Sequence, residues 1–117
     1  MAFAGIMSTG SYLPDRVLNN EELSRSLDTT DDWIRSRSGI RERRIAADDE
    51  FTCDLAEHAA RRAIENAGRS FGDVDLIVVA TTTPDQVFPS TACLLQARLQ
   101  AKDCPAFDIQ AVCAGFI

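Results

Sequence analysis

From Thr52 to Ala67, small apolar residues recur at three- and four-residue steps, at Leu55, Ala56, Ala59, Ala60, Ala63, Ile64 and Ala67, and Gly68 follows directly. That period marks one face of an α-helix, and a glycine just past the last turn is a C-cap. A face made almost wholly of alanine lets such a helix lie close on whatever it covers. The chain then enters Asp75-Leu76-Ile77-Val78-Val79-Ala80, a short apolar run without alternation. This is the pattern of a strand covered on both faces, so the pair predicts a parallel sheet in a layered α/β arrangement.

The flanking segments fit the same class. Ala2 to Gly10 is apolar and reads as a strand that ends at the Leu13-Pro14-Asp15 turn signal. Asn19 or Asn20 is placed to cap a short helix to about Leu27, and Thr29 and Asp32 have capping-box spacing for a second helix that Gly39 would end. Pro84 and Pro89 bracket a loop, Ser90 or Thr91 caps a helix to about Leu99, and Pro105 to Ile109 reads as another inner strand. The alternation of strand and helix is that of a doubly wound fold.

The 117 residues carry twelve Lys and Arg against eighteen Asp and Glu, for a net charge of −6. An acidic chain is a poor match for nucleic acid as its main partner. No stretch approaches the ~20 apolar residues of a membrane span, and the N-terminus lacks the layout of a secretory signal, so a cytoplasmic setting is expected. The four cysteines stand 40, 11 and 9 residues apart, and there is one histidine. That spacing argues against a metal site and against a disulfide scaffold. The last residues, Val112 to Ile117, are apolar and stop where a strand should turn into its crossover helix. The chain is therefore expected to be incomplete.

Two groups of residues have chemical potential. Cys113 follows an inner strand and precedes the small residues Ala114 and Gly115 and a helix start. Ligands of α/β sheets bind beyond the carboxyl ends of the strands, and a helix N-terminus favours the thiolate. A cysteine in an apolar run is more often a small buried hydrophobe, and local sequence alone does not overturn that reading. Cys53, Cys93 and Cys104 lack such a context and read as core or half-buried thiols. The second group is Trp33 and Arg37, four apart on one helix face, within a stretch from Arg35 to Arg44 that holds five arginines and one glutamate. An aromatic ring beside a guanidinium suits a nucleotide, the ring for the base and the cation for a phosphate. The alternative is a half-buried tryptophan with arginines that pair with Asp31, Asp32 and Glu42. His58, mid-helix beside the alanine face, reads as a surface residue and leaves Cys113 without a basic partner in these residues.

Taken in order, Asp31-Asp32-Trp33-Ile34, Arg37-Ser38-Gly39-Ile40-Arg41-Glu42-Arg43, Leu76 through Pro84, Phe88-Pro89-Ser90, Ala106-Phe107-Asp108-Ile109 and Cys113-Ala114-Gly115-Phe116 resemble the β-ketoacyl-acyl-carrier-protein synthase III family. These blocks span nearly the whole chain, and the match ends just after the position of the family's catalytic cysteine. The resemblance implies a thiolase-like fold, with residues 1–117 as the N-terminal part of the catalytic domain and an incomplete first half, cut just after the nucleophile. It implies initiation of bacterial type II fatty acid synthesis by decarboxylative condensation. In the family, the cysteine takes an acyl group from acyl-CoA, with acetyl-CoA expected here, and malonyl-acyl-carrier protein then supplies the attacking carbanion. By resemblance, Cys113 is the catalytic position at the start of a buried helix, Trp33 and Arg37 hold the adenine and phosphates of CoA, and Thr29 is a nearby CoA contact. Phe88 matches a residue that reaches across a homodimer interface. CoA enters as substrate and no permanently bound cofactor is implied. The family's His and Asn fall beyond residue 117, so the fragment alone is expected to be inactive. Val112 departs from the smaller residue that many relatives carry before the cysteine. The alternatives are another thiolase-fold condensing enzyme of secondary metabolism, or a non-catalytic module for CoA binding or dimerisation.

Overall fold

The computed structural model describes residues 3–117. They form two compact units, one of Leu13–Glu50 and one in which the residues up to Tyr12 join Phe51–Ile117. The smaller unit runs β1 (Arg16–Asn19), α1 (Asn20–Ser24), α2 (Asp31–Ser38) and β2 (Glu42–Ile45). The larger continues with α3 (Thr52–Ala67), β3 (Ile77–Ala80), α4 (Thr91–Leu99) and β4 (Ala106–Ile109), and a short 3-10 turn at Val112–Phe116. Among the described residues no helix is long and apolar enough to cross a membrane.

In the larger unit β3 and β4 pair in parallel, with Ile77 opposite Ala106 and Ala80 opposite Ile109, and α4 is the crossover between them. Both helices pack on the same face of this pair. Ile77, Leu95, Leu99, Ala92, Ala101, Cys53 and Cys104 form the core, and Ala56, Ala60 and Val79 pack against it. The alanine face of α3 thus lies where its period predicts. On the other side Val78 and Ala80 are exposed, so β3 is covered on one face only, where the unbroken apolar run predicts two. Among the described residues both covering helices belong to the Ile77 face. Between α3 and α4, Arg98 pairs with Asp54 at 2.5 Å and Glu57 at 3.5 Å. The Phe51 amide and Arg98 hold the Asp54 carboxyl below its ordinary range.

Helix ends follow the sequence closely. Ser90 caps α4 by accepting from the Cys93 amide at 3.3 Å, and Gly68 ends α3 in the left-handed conformation at φ 62°. The strand expected over Ala2–Gly10 does not form. Ala2 lies outside the described residues, and 3–10 have no strand beside them among the described residues. Their backbone is held by α3 instead. The Ser8 hydroxyl donates to the Ala63 carbonyl at 2.6 Å, and the Asn66 and Arg62 side chains donate to the carbonyls of Thr9 and Ser11. Gly10 makes this possible, because a Cβ there would collide with the Ala59 carbonyl oxygen and the Ala63 backbone.

The smaller unit holds an antiparallel pair that the pattern did not announce, with Arg16 opposite Ile45 and Asn19 opposite Glu42. Its residues are mostly exposed, so this pair stands apart from the mostly inner strands expected of the fold. Charged side chains on a solvated ribbon leave no apolar alternation to read. Helix α1 starts at the predicted cap, Asn19, which accepts from the Glu22 amide at 2.8 Å, but ends at Ser24 rather than near Leu27.

Candidate functional site

Helix α2 carries the tryptophan and arginine pair. Its N-cap is Thr30, whose hydroxyl accepts from the Trp33 amide at 3.1 Å, so the capping box expected from Thr29 is displaced by one residue. Gly39 closes the helix at φ 74°, as its position predicts. One turn apart on the same face, Arg37 Cζ lies 4.9 Å from the centre of the Trp33 ring. The ring remains 55% exposed. An open cleft of about 770 Å³ runs beside it, lined by Leu23, Leu27, Thr29, Trp33, Arg37 and Arg43 among others. All three residues expected to meet CoA are therefore brought to one cleft. Thr29 Oγ1 is buried there with no hydrogen-bond partner among the described residues. A buried hydroxyl of that kind is costly unless something pairs with it.

The other arginines of this stretch are sorted by partner. Arg35 pairs with Asp31 at 3.3 Å and Arg44 with Glu42 at 3.6 Å, as the bland reading of the cluster predicts. Arg43 donates to the Asn20 side-chain oxygen at 2.8 Å. Arg37 makes no ion pair among the described residues, so its charge is left to the cleft. Asp31 is held below the usual carboxylate range, first by the Asn20 amide and then by Arg35.

In the larger unit Cys113 is exposed, whereas Cys53 and Cys104 are buried and Cys93 is partly so. It lies just past the carboxyl ends of β3 and β4, in a cleft of about 360 Å³ lined by Thr81, Thr82, Thr83, Val112, Cys113 and Gly115 among others. The threonine loop is fixed in place. The Thr81 amide donates to the Ile109 carbonyl at 3.1 Å and extends the ladder, and the Thr52 hydroxyl donates to the Thr83 carbonyl at 2.6 Å. The expected α-helix start at Cys113 is instead a five-residue 3-10 turn, with the Ala114 amide donating to the Ala111 carbonyl. Val112 enters it at φ 49°, a left-handed conformation that a β-branched residue adopts only under strain and that an α-helical first turn does not use. The turn presses on β3, for a Cβ added at Gly115 would lie 3.0 Å from the Ala80 Cβ.

Asp108 is a residue that sequence reasoning missed. It accepts from the Thr91 amide at 2.9 Å and the Ala92 amide at 2.7 Å, one on each carboxylate oxygen. It thus caps α4 from the neighbouring strand and holds the end of β4, five residues before Cys113. A lone carboxylate inside an apolar strand is the signal that could have marked it. Asp85 does the same for α3, accepting from the Cys53 amide at 2.9 Å. His58 is exposed and stacks on Tyr12 with ring centres 4.5 Å apart, the surface role expected of it. Phe88 is 87% exposed. Among the described residues no cluster of His, Cys, Asp or Glu is built to hold a metal ion.

No protein-family profile matches the chain. Individual proteins do. The chain is 60% identical over 117 residues to the β-ketoacyl-[acyl-carrier-protein] synthase III of Thioalkalivibrio sulfidiphilus, which covers 100% of this chain and 36% of that protein. The crystal structure of 3-oxoacyl-[acyl-carrier-protein] synthase III from Aquifex aeolicus superposes with a TM-score of 0.90 at 51% identity, over 95% of this chain and 36% of that one. The priming β-ketosynthase of the R1128 polyketide pathway follows at 0.86 and 38%, over 91% and 32%. The chain spans about a third of the length of these relatives, at their N-terminal part. Sequence and thiolase-type fold together assign the chain to the β-ketoacyl-[acyl-carrier-protein] synthase III family.

Proposed function

We propose that these residues belong to an acyltransferase that starts bacterial fatty acid synthesis, with Cys113 as the acyl-accepting nucleophile and Trp33, Arg37 and Thr29 as contacts to CoA. The observation that carries the reading is the exposed thiol of Cys113 in its cleft beyond the parallel strand ends. The thiolate attacks the carbonyl carbon of acyl-CoA; a new C–S bond forms, the bond to the CoA sulfur breaks, and CoA leaves as a thiolate that takes up a proton. Malonyl-acyl-carrier protein then loses CO2, and the electron pair left on carbon attacks the Cys113 thioester. A C–C bond forms and the cysteine thiolate is released.

In the smaller unit, the Trp33 ring offers a stacking face for adenine and Arg37 an unpaired cation for phosphate. The buried Thr29 hydroxyl supports a polar contact there. Exposure of Phe88 fits a residue that meets a second subunit in a homodimer. Incubation of the protein carrying this sequence with radiolabelled acetyl-CoA, followed by denaturation and peptide mapping, should place an acid-stable, hydroxylamine-labile label on Cys113. Label that persists in Cys113→Ala would remove the cysteine from the mechanism, and no label at all would remove acyl transfer. The similarity to a polyketide priming ketosynthase favours one second reading, condensation with a different primer or extender. Product analysis with mixed acyl-CoA primers separates the two.

A further inference from the structure

The most buried polar side chain of the smaller unit is Asn20, at 1% exposure, and its amide is fully engaged. Its nitrogen donates to Asp31 Oδ1 at 2.8 Å and to the Ile40 carbonyl at 2.8 Å, while its oxygen accepts from Arg43 at 2.8 Å. Asp31 is the first residue of α2, and Ile40 lies just past the Gly39 that ends it. One amide therefore ties both ends of an eight-residue helix, and Trp33 and Arg37 project between the two tie points. Two further facts make the clamp consequential. Arg35 satisfies the rest of Asp31, so that carboxylate is not drawn toward Arg37. Arg43, which also lines the cleft, is fixed by the same amide rather than by an acid. An aspartate at 20 would lose both donors and face Asp31 with like charge, so the position requires an amide, not merely a polar group.

We propose that Asn20 is a positioning residue for the Trp33 and Arg37 pair, acting on nucleotide affinity through the placement of α2. This rests on the reading that the pair contacts CoA. A helix that is free to tilt would separate ring and guanidinium from the geometry one ligand needs, and small misplacements of binding groups are costly.

Calorimetric titration with free CoA, paired with acyl-labelling rates from acetyl-CoA, tests this in the protein carrying this sequence. Asn20→Ala is expected to raise the CoA Kd about tenfold while the labelling rate at saturating acetyl-CoA stays within about twofold. Asn20→Asp keeps the volume and the Arg43 acceptor, and should weaken binding to a similar extent if the alanine variant fails to fold. Asn20→Asp combined with Asp31→Asn restores a donor and acceptor pair and should recover part of the loss. Thr91→Val is the control for lost stability: Thr91 is fully buried in the larger unit, where its hydroxyl accepts from the Asp85 amide at 3.4 Å. A Kd that is unchanged in Asn20→Ala or Asn20→Asp overturns the inference, as does an equal rise in Thr91→Val at matched melting temperature. If the unmodified protein shows no saturable CoA binding, the nucleotide reading itself falls and the positioning role with it.

Discussion

Replacing Trp33 by alanine tests the binding role of a half-exposed ring directly. Trp33 is 55% exposed, and its side chain makes no hydrogen bond among the described residues; the amide that donates to Thr30 belongs to the backbone and survives the substitution. What folding loses is half a ring of packing and one exposed contact with Arg37, 4.9 Å from the ring centre. Such an exposed cation–π contact is worth about 0.5–1 kcal/mol, and the covered half of the ring, about 100 Å² at ~25 cal/mol per Å², about 2–3 kcal/mol, so a total loss of roughly 3 kcal/mol in stability is expected. Binding loses a stacking surface, and base–aromatic stacking is worth about 1–3 kcal/mol by alanine substitution. The midpoint, about 2 kcal/mol, corresponds to a roughly 30-fold rise in the CoA Kd. The assay is calorimetric titration with CoA at two salt concentrations, beside urea unfolding of the same samples. Trp33→Ala should keep the salt dependence of the unmodified protein, because Arg37 remains, whereas Arg37→Ala should flatten it. A Kd within about threefold of the parent, in a variant that still unfolds cooperatively in urea, would refute the assignment of the ring to the nucleotide.

Further outcomes follow from the cap of α4 and from three carboxylates of the chain. Asp108→Ala leaves the Thr91 and Ala92 amides, both in fully buried residues, without an acceptor, and should cost about 3 kcal/mol in urea unfolding; Asp108→Asn keeps one acceptor and should cost about half as much, and a loss below ~1 kcal/mol for the alanine variant would show that α4 finds another cap. Asp31, Asp54 and Asp73 are all held below their ordinary value of 3.8, by the Asn20 amide, the Phe51 amide and the Ser70 amide respectively as the largest causes. A depressed folded-state pKa adds stability that is fully present above 3.8 and is lost as pH falls through the lower folded values, so melting temperature should hold from neutral pH to about pH 5 and drop below about pH 4. Asp54→Asn should make that drop shallower, and an unchanged slope would show that its bonds to Phe51 and Arg98 do not persist in solution.

The parts of the fold that were legible are those fixed by local chemistry. Helix α3, from Thr52 to Ala67, needs only its 3.6-residue period and a terminal glycine, and both are written in the chain. The parallel strands likewise need only apolar runs of the right length. What escaped was set by partners distant in sequence. Residues 3–10 have a strand's composition, but whether they are a strand depends on a neighbour, and here α3 takes the Thr9 carbonyl through Asn66 and the adjoining Ser11 carbonyl through Arg62. The pairing of β1 with β2 joins two polar segments 23 or more residues apart, and no alternation announces it. Displacement of the cap from Thr29 to Thr30 is of the same kind, since either hydroxyl satisfies the sequence rule and only the backbone at residue 30, extended at ψ 158°, decides between them.

The site divides along the same line. Trp33 and Arg37 were legible as a pair because four-residue spacing on a helix is itself a geometric statement, and the structure adds which of the neighbouring arginines are taken by carboxylates. Arg35 and Arg44 were as plausible by spacing; their carboxylate partners exclude them. Cys113 is the opposite case. A thiol in an apolar run carries no local mark that separates nucleophile from core residue, and Cys53, fully buried with its thiol pushed up by desolvation, shows how the bland outcome looks in the same chain. Two non-local contacts make the difference. The Thr81 amide bonded to Ile109 sets the strand ends level, and Asp108 anchors β4 to the start of α4, so the chain leaves the sheet at a fixed point, just before the turn at Val112 and Cys113. The placement of Cys113 beyond the strand ends thus rests on the β3–β4 register and on one capping carboxylate, and a substitution that frees Asp108 should lower the rate of acyl labelling at Cys113.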